Sequence, residues 1–237
     1  MSPTLRRGPD LPYLLVAGVT PCSGGWLLAG AKHHAATFMP EPPRIFETIL
    51  AVLNERPSYA TIVVNVPIGY RDDVGDPPRT CDLEARKLLG RRGSTIPGAP
   101  TRASLREGDD YTTSGLDATT VVRLRHYREL YAEMSPFRQR VVYEGHPELS
   151  FYQLNGDAPL RYSKRREEGR QERRELLEKR IPNVHMILDV ELGASEKHLY
   201  DAVALLWTAR RVNGKAAKRI PSDAEWDSEG LRTEFVY

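Results

Sequence analysis

Ala60-Thr-Ile-Val-Val-Asn-Val66, closed by Pro67, decides the fold class. Seven residues rich in β-branched side chains and stopped by a proline read as the clearest buried strand in the chain. Upstream, Tyr13-Leu-Leu-Val-Ala-Gly-Val19 is a second apolar run, bounded by Pro12 and Pro21. Ser23-Gly24-Gly25 is a tight-turn signal, and Trp26-Leu-Leu-Ala-Gly-Ala31 follows, so the pair reads as a hairpin. A short third strand is expected over residues 35–39. Pro42 and Pro43 are expected to open a helix to about Asn54, because Ile45, Phe46, Ile49, Leu50 and Leu53 fall at helical spacing.

Downstream, residues 71–78 form a polar loop and 82–89 a short helix ended by Gly90. Residues 91–106 form a loop over a site. A long helix starts at Asp117 or Thr119 and runs to about Glu133. Gln139-Arg-Val-Val-Tyr-Glu144 is another strand, broken by Gly145, His146 and Pro147, with a helical turn or two over 148–154. Residues 164–179 form a highly charged helix, 185–189 a small apolar segment, and Ser195 caps a helix to about Val212 with Leu199, Val203, Leu206 and Trp207 on one face. Residues 231–237 read as a terminal edge strand. Hairpin strands first, then alternating helices and strands, predict an α/β fold: a mixed sheet flanked by helices.

The chain has 237 residues, 34 Lys and Arg against 32 Asp and Glu, and a net charge of +2. That length fits one domain over 1–237, with 1–12 as a flexible extension. The charge gives no global pull toward nucleic acid, so such a site has to come from a local basic patch. Cys22 and Cys81 stand far apart and form no paired motif, which points to free thiols and a cytoplasmic location. No apolar run has the length of a membrane span.

Several segments in order carry a resemblance: Val19-Thr-Pro-Cys-Ser-Gly-Gly-Trp26, Val66-Pro-Ile-Gly69, Arg79-Thr-Cys-Asp-Leu-Glu-Ala-Arg86 with Leu89-Gly90, and Glu144-Gly-His-Pro-Glu-Leu-Ser-Phe151. Lys164, Gly169, Arg173 and Asp201-Ala202 continue it. The chain resembles the DUF429 family, predicted nucleases. The resemblance implies a ribonuclease H-like mixed sheet and a hydrolase acting with Mg²⁺ or Mn²⁺ on nucleic acid. Two-metal nucleases hold their ions with carboxylates from several elements. At the four family positions this chain has Thr20, Asn65, Glu144 and Asp201, so half of the anionic charge is missing. The resemblance therefore implies weak metal binding by Glu144, Asp201, Asn65 and Thr20, with Glu144, Asp201, Glu148 and His146 as the catalytic candidates.

Two outcomes follow: a site that has lost catalysis and kept binding, or one performing other chemistry with those four groups. Arg79, Arg86, Arg92 and Lys164 are the candidate binders of nucleic acid or of a phosphorylated small molecule, because arginine grips phosphate with paired hydrogen bonds. Plainer roles stand beside these. Asn65 bonds a loop, Glu144 and Glu148 favour a helix start, His146 sits in a turn, and Asp82 pairs with Arg86 on a wet helix face. A non-catalytic scaffold is the alternative function. An actin-like phosphotransferase ranks lower, since Ser23-Gly24-Gly25 lacks the phosphate-loop lysine. His33 and His34 point to opposite faces of a strand and are poorly placed to share a metal.

Overall fold

A computed structural model describes residues 13–34, 37–106, 116 and 118–237. The expected N-terminal extension lies outside these residues. β1 (Leu14–Cys22) and β2 (Gly25–His34) form the hairpin, in a register running from Leu14 opposite His33 to Cys22 opposite Gly25. Gly25 has a φ of 120°, and a Cβ there would lie 2.2 Å from the Phe46 carbonyl oxygen, so the turn needs glycine. β3 (Thr37–Pro40) pairs with β2.

The helix expected from Pro42 is mostly absent. Residues Arg44–Phe46 form β4, which takes up the free backbone of β2 from Trp26 to Leu28. Only α1 (Ile49–Leu53) is helical, and the Thr48 hydroxyl caps it by accepting from the Ala51 amide at 3.2 Å. The two prolines favour an extended entry that the exposed ladder of β2 captures.

β5 (Thr61–Val64) lies parallel to β1 on its other side. After α2 (Thr80–Leu89), a 3₁₀ turn (Gly90–Thr95), α3 (Arg102–Arg106) and α4 (Ala118–Glu133), β6 (Val142–Glu144) adds in parallel to β5. The 91–106 segment, expected as loop, thus carries two short helical pieces. The strand order is β3-β2-β1-β5-β6, three antiparallel strands followed by two parallel ones, which makes the expected mixed sheet.

α5 (Pro147–Leu154), α6 (Glu167–Arg180), α7 (His185–Leu188) and α8 (Glu196–Asn213) follow. β7 (Arg219–Ile220) and β8 (Phe235–Val236) make a separate two-stranded ribbon, so the terminal strand is shorter than expected and does not edge the main sheet. Two apolar layers cover the sheet. On one face Val16, Leu27 and Val63 pack against Ala202, Leu205 and Leu206 of α8. On the other Val19, Trp26, Ile62 and Val64 pack against Leu124, Tyr127 and Leu130 of α4.

Gly18 explains how close α8 sits. A Cβ at that position would fall 2.1 Å from both the Ala202 carbonyl oxygen and the Leu206 nitrogen. The helix backbone therefore rests directly on β1, which brings Asp201 to the sheet. No helix among the described residues is long and apolar enough to cross a membrane.

Candidate functional site

The carboxyl ends of β1, β5 and β6 meet in register. Val19 lies opposite Val64, and Val64 lies opposite Glu144. One residue on, the Asn65 amide donates from Nδ2 to Thr20 Oγ1 at 3.1 Å, and its backbone amide donates to the Val19 carbonyl at 2.9 Å. Thr20 and Asp201 are fully buried. Side chains alternate along a strand. Glu144 therefore follows Val64 to the α4 face, whereas Thr20 and Asn65 follow the register to the α8 face, where Asp201 sits. The four positions share one end of the sheet, but Glu144 and Asp201 project to opposite faces.

Each carboxylate is already engaged. Glu144 Oε2 accepts from the Ile68 backbone amide and from Arg79, both at 2.6 Å, while Oε1 is buried without a partner. Burial pushes the Glu144 carboxyl up to about 8, and the Arg79 guanidinium offsets this only in part. Arg79 is itself buried, donates to Cys81 Sγ at 3.0 Å and lies 3.9 Å from Asp82. It is turned inward, away from solvent. Asp201 Oδ2 accepts from Lys164 at 2.5 Å, and Oδ1 is buried without a partner.

Glu148 lies between two guanidinium groups, Arg173 at 2.5 Å and Arg92 at 3.1 Å. Burial works to raise its pKa, but the two arginines bring it below the ordinary carboxylate value. Arg173 is fully buried, donates to the Gly169 carbonyl at 2.7 Å and lies over Phe151 at 5.2 Å. His146 is the N-cap of α5, with Nδ1 accepting from the Glu148 amide at 3.3 Å. Burial pushes its pKa down to about 3, so the ring is neutral and carries its proton on Nε2.

Above this end lies a cavity of about 600 Å³. Among the described residues Arg86, Arg92, Arg123, Lys164 and Arg165 line it, against the single carboxylate of Glu148. Asn65 and His146 form part of its wall. Arg86 also donates to the Ile96 carbonyl at 3.1 Å, which fixes the loop over the cavity. It does not pair with Asp82. Asp82, buried, instead reaches Arg79 and the Ala99 amide. Arg123, on α4, has no hydrogen bond or ion pair among the described residues. A cleft of about 20 Å³, room for one water, joins Asn65, His146 and Arg123 to Glu144.

The structure thus gathers Arg86, Arg92, Lys164, Asn65, His146 and Glu148 around one cavity, and leaves Arg79 sealed beneath it. Sequence reasoning missed Arg123 and Arg165 as wall residues. It also counted Arg173 with the wet face of a charged helix. Only the Gly169 to Arg173 spacing hinted otherwise. A Cβ at Gly169 would meet the Ser163 carbonyl oxygen at 2.0 Å, so this glycine lets the 163 loop lie on α6.

The donor set does not fit a pair of divalent ions. Such a site needs several carboxylates around one point. Here Glu144 and Asp201 point to different faces, each has a cation on one oxygen, and the open space is walled by positive charge. Among the described residues no three His, Cys, Asp or Glu side chains are grouped to hold a metal.

No curated protein matches the chain. Among solved structures, the Thermus thermophilus RuvC structure is similar at 17% identity with a TM-score of 0.34, over 86% of this chain and 99% of that one. The family model described as "Protein of unknown function (DUF429)" matches residues 18–226. That match covers the main sheet from Gly18 onward, the cavity and all four positions at the sheet's end, and the chain belongs to the DUF429 family.

Proposed function

We propose that this protein binds a phosphate-bearing ligand, about the size of one or two nucleotides, in the cavity above the sheet's carboxyl end. The observation that carries this reading is the wall itself, where among the described residues five cationic side chains face one carboxylate around a cavity of about 600 Å³. Cavities of this size suit a small ligand. Arginine forks match phosphate oxygens, and Glu148 holds Arg92 in place before the ligand arrives. Arg123 gives up no partner among the described residues when a ligand binds.

The test is calorimetry at low salt with inorganic phosphate, a mononucleotide and a short single-stranded oligonucleotide. The mononucleotide should bind, and Arg123→Ala should weaken it about tenfold, the scale of one charge-assisted hydrogen bond. No phosphate compound binding at low salt would overturn the reading.

A second reading, metal-dependent hydrolysis with Mg²⁺ or Mn²⁺, is favoured by one observation. Glu144 Oε1 and Asp201 Oδ1 are both buried carboxylate oxygens with no partner. Cleavage of nucleic acid that needs Mg²⁺ and disappears in Glu144→Gln would establish it over the first.

A further inference from the structure

A second site stands apart from the cavity, at the amino end of β6. Trp226 is 60% exposed and Phe137 75% exposed, which is unusual for such large apolar side chains. Beside Trp226 lies an open hollow of about 310 Å³ lined by Gln139, Arg140, Tyr143, Trp226 and Arg232. Among the described residues no carboxylate lines it. The Arg140 guanidinium lies over the Phe137 ring at 5.5 Å and has no carboxylate partner among the described residues. Arg232 is exposed and only loosely balanced by Glu234 at 3.7 Å.

The hollow is held in shape rather than left to loose side chains. Gln139 donates to the Arg232 carbonyl at 2.9 Å and accepts from the Arg232 amide at 2.8 Å, which ties the turn before β6 to the C-terminal segment. Trp226 pairs with Arg232 as an isolated bridge. The indole is therefore presented on a fixed backbone.

We propose that this hollow is a binding site for single-stranded nucleic acid. Flat exposed rings offer a stacking face to bases of any identity, and the neighbouring arginines track the phosphates. A protein partner would also cover exposed aromatics. Among the described residues, however, the wall holds two arginines and no acid, which favours a polyanion with flat groups over a mixed protein surface. This site goes beyond the cavity reading and does not depend on it.

The test uses the fluorescence of the full chain with a thymidine oligonucleotide of about 12 residues. Trp26 is fully buried and Trp207 half-buried, so stacking should quench Trp226. Trp226→Ala should weaken oligonucleotide binding about tenfold, and Trp226→Phe should recover most of it. Arg140→Gln should lower the salt dependence by about one phosphate contact. Arg123→Ala should leave the quenching in place, and this separates failure of the cavity reading from failure of this one. Oligonucleotide affinity unchanged in Trp226→Ala overturns the proposal. So does a wild-type chain that ignores the oligonucleotide and self-associates through Trp226.

Discussion

Glu144 and Glu148 are four residues apart, equally buried at 3% exposure, and opposite in charge behaviour. Glu144 has one guanidinium at one oxygen, and burial wins: its pKa rises to about 8. Glu148 has two guanidinium groups, and they win: its pKa falls. At equal burial, the number of cations touching a carboxylate decides whether it stays charged. The consequence is spatial. The charged carboxylate braces the wall of the open cavity through Arg92, while the sealed one closes over Arg79 beneath it. The end of the sheet is thus split into an inner, self-neutralised half and an outer, positive half.

The largest effect that would test this contrast is at Glu148. Glu148→Ala leaves the fully buried Arg173 without its carboxylate and should cost about 3–5 kcal/mol. Glu144→Gln keeps the shape of a group already partly neutral and leaves Asp82 beside Arg79, so about 1–2 kcal/mol is expected. Urea denaturation of both variants at pH 7 checks the order. Equal losses would mean that the two carboxylates are the same kind of pair, and the contrast would fall.

Much of the fold was legible because strands here are apolar runs stopped by glycine or proline. The hairpin, β5 and the α8 stripe all follow from local pattern. The segment at 44–54 was misread because Ile45, Phe46, Ile49 and Leu50 fit a helical period, and only the unpaired edge of β2 decides for a strand. The site was half legible. Its positions could be listed from motifs, and their meeting at one sheet end follows from register. The inward turn of Arg79 and the burial of Arg173 are tertiary facts with no local signature. The facing of Glu144 away from Asp201 was open to strand alternation once β6 was placed.

The next effect concerns the missing carboxylates. Thr20→Asp with Asn65→Asp would put two new charges on the α8 face, near buried Asp201, and break the Asn65–Thr20 hydrogen bond. Crowding like charges raises their pKa and costs about 2–3 kcal/mol without metal. Because Lys164 already holds Asp201 and Glu144 lies on the other face, Mg²⁺ should return little of that loss. Thermal melts with and without Mg²⁺ read the difference. Recovery of most of the lost stability with Mg²⁺ would show that the two halves of the sheet's end can still act as one ion site.

The smallest effect, taken per pH unit, is also the most specific to Glu144. Its folded pKa of about 8 lies above the unfolded value near 4.5, so between those values the folded chain holds one proton more than the unfolded chain. Stability then falls as pH rises, by at most about 1.4 kcal/mol per pH unit. His146 acts with the opposite sign. Its folded pKa of about 3 lies below the unfolded value of 6.5, so the folded chain holds one proton fewer across that window and stability rises with pH. The two slopes cancel from about pH 4.5 to 6.5. Above that only Glu144 is left, and stability should decline to about pH 8. Below 4.5 His146 continues to lose stability with acid, joined by Glu148, whose lowered pKa gives a contribution present above its unfolded value and lost as pH falls through the folded one. Urea denaturation at pH 5, 6, 7 and 8 separates these terms. Glu144→Gln should remove the decline above 6.5 and unmask a rise from 5 to 6.5. His146→Asn, which keeps an N-cap acceptor, should instead start the decline near 4.5. Because other titrating groups are common to all three chains, the difference from wild type isolates each residue. A wild-type profile that is flat from 6.5 to 8 and unchanged in Glu144→Gln would mean that Arg79 keeps Glu144 charged, and the inner half would then be an ion pair of the same kind as the outer one.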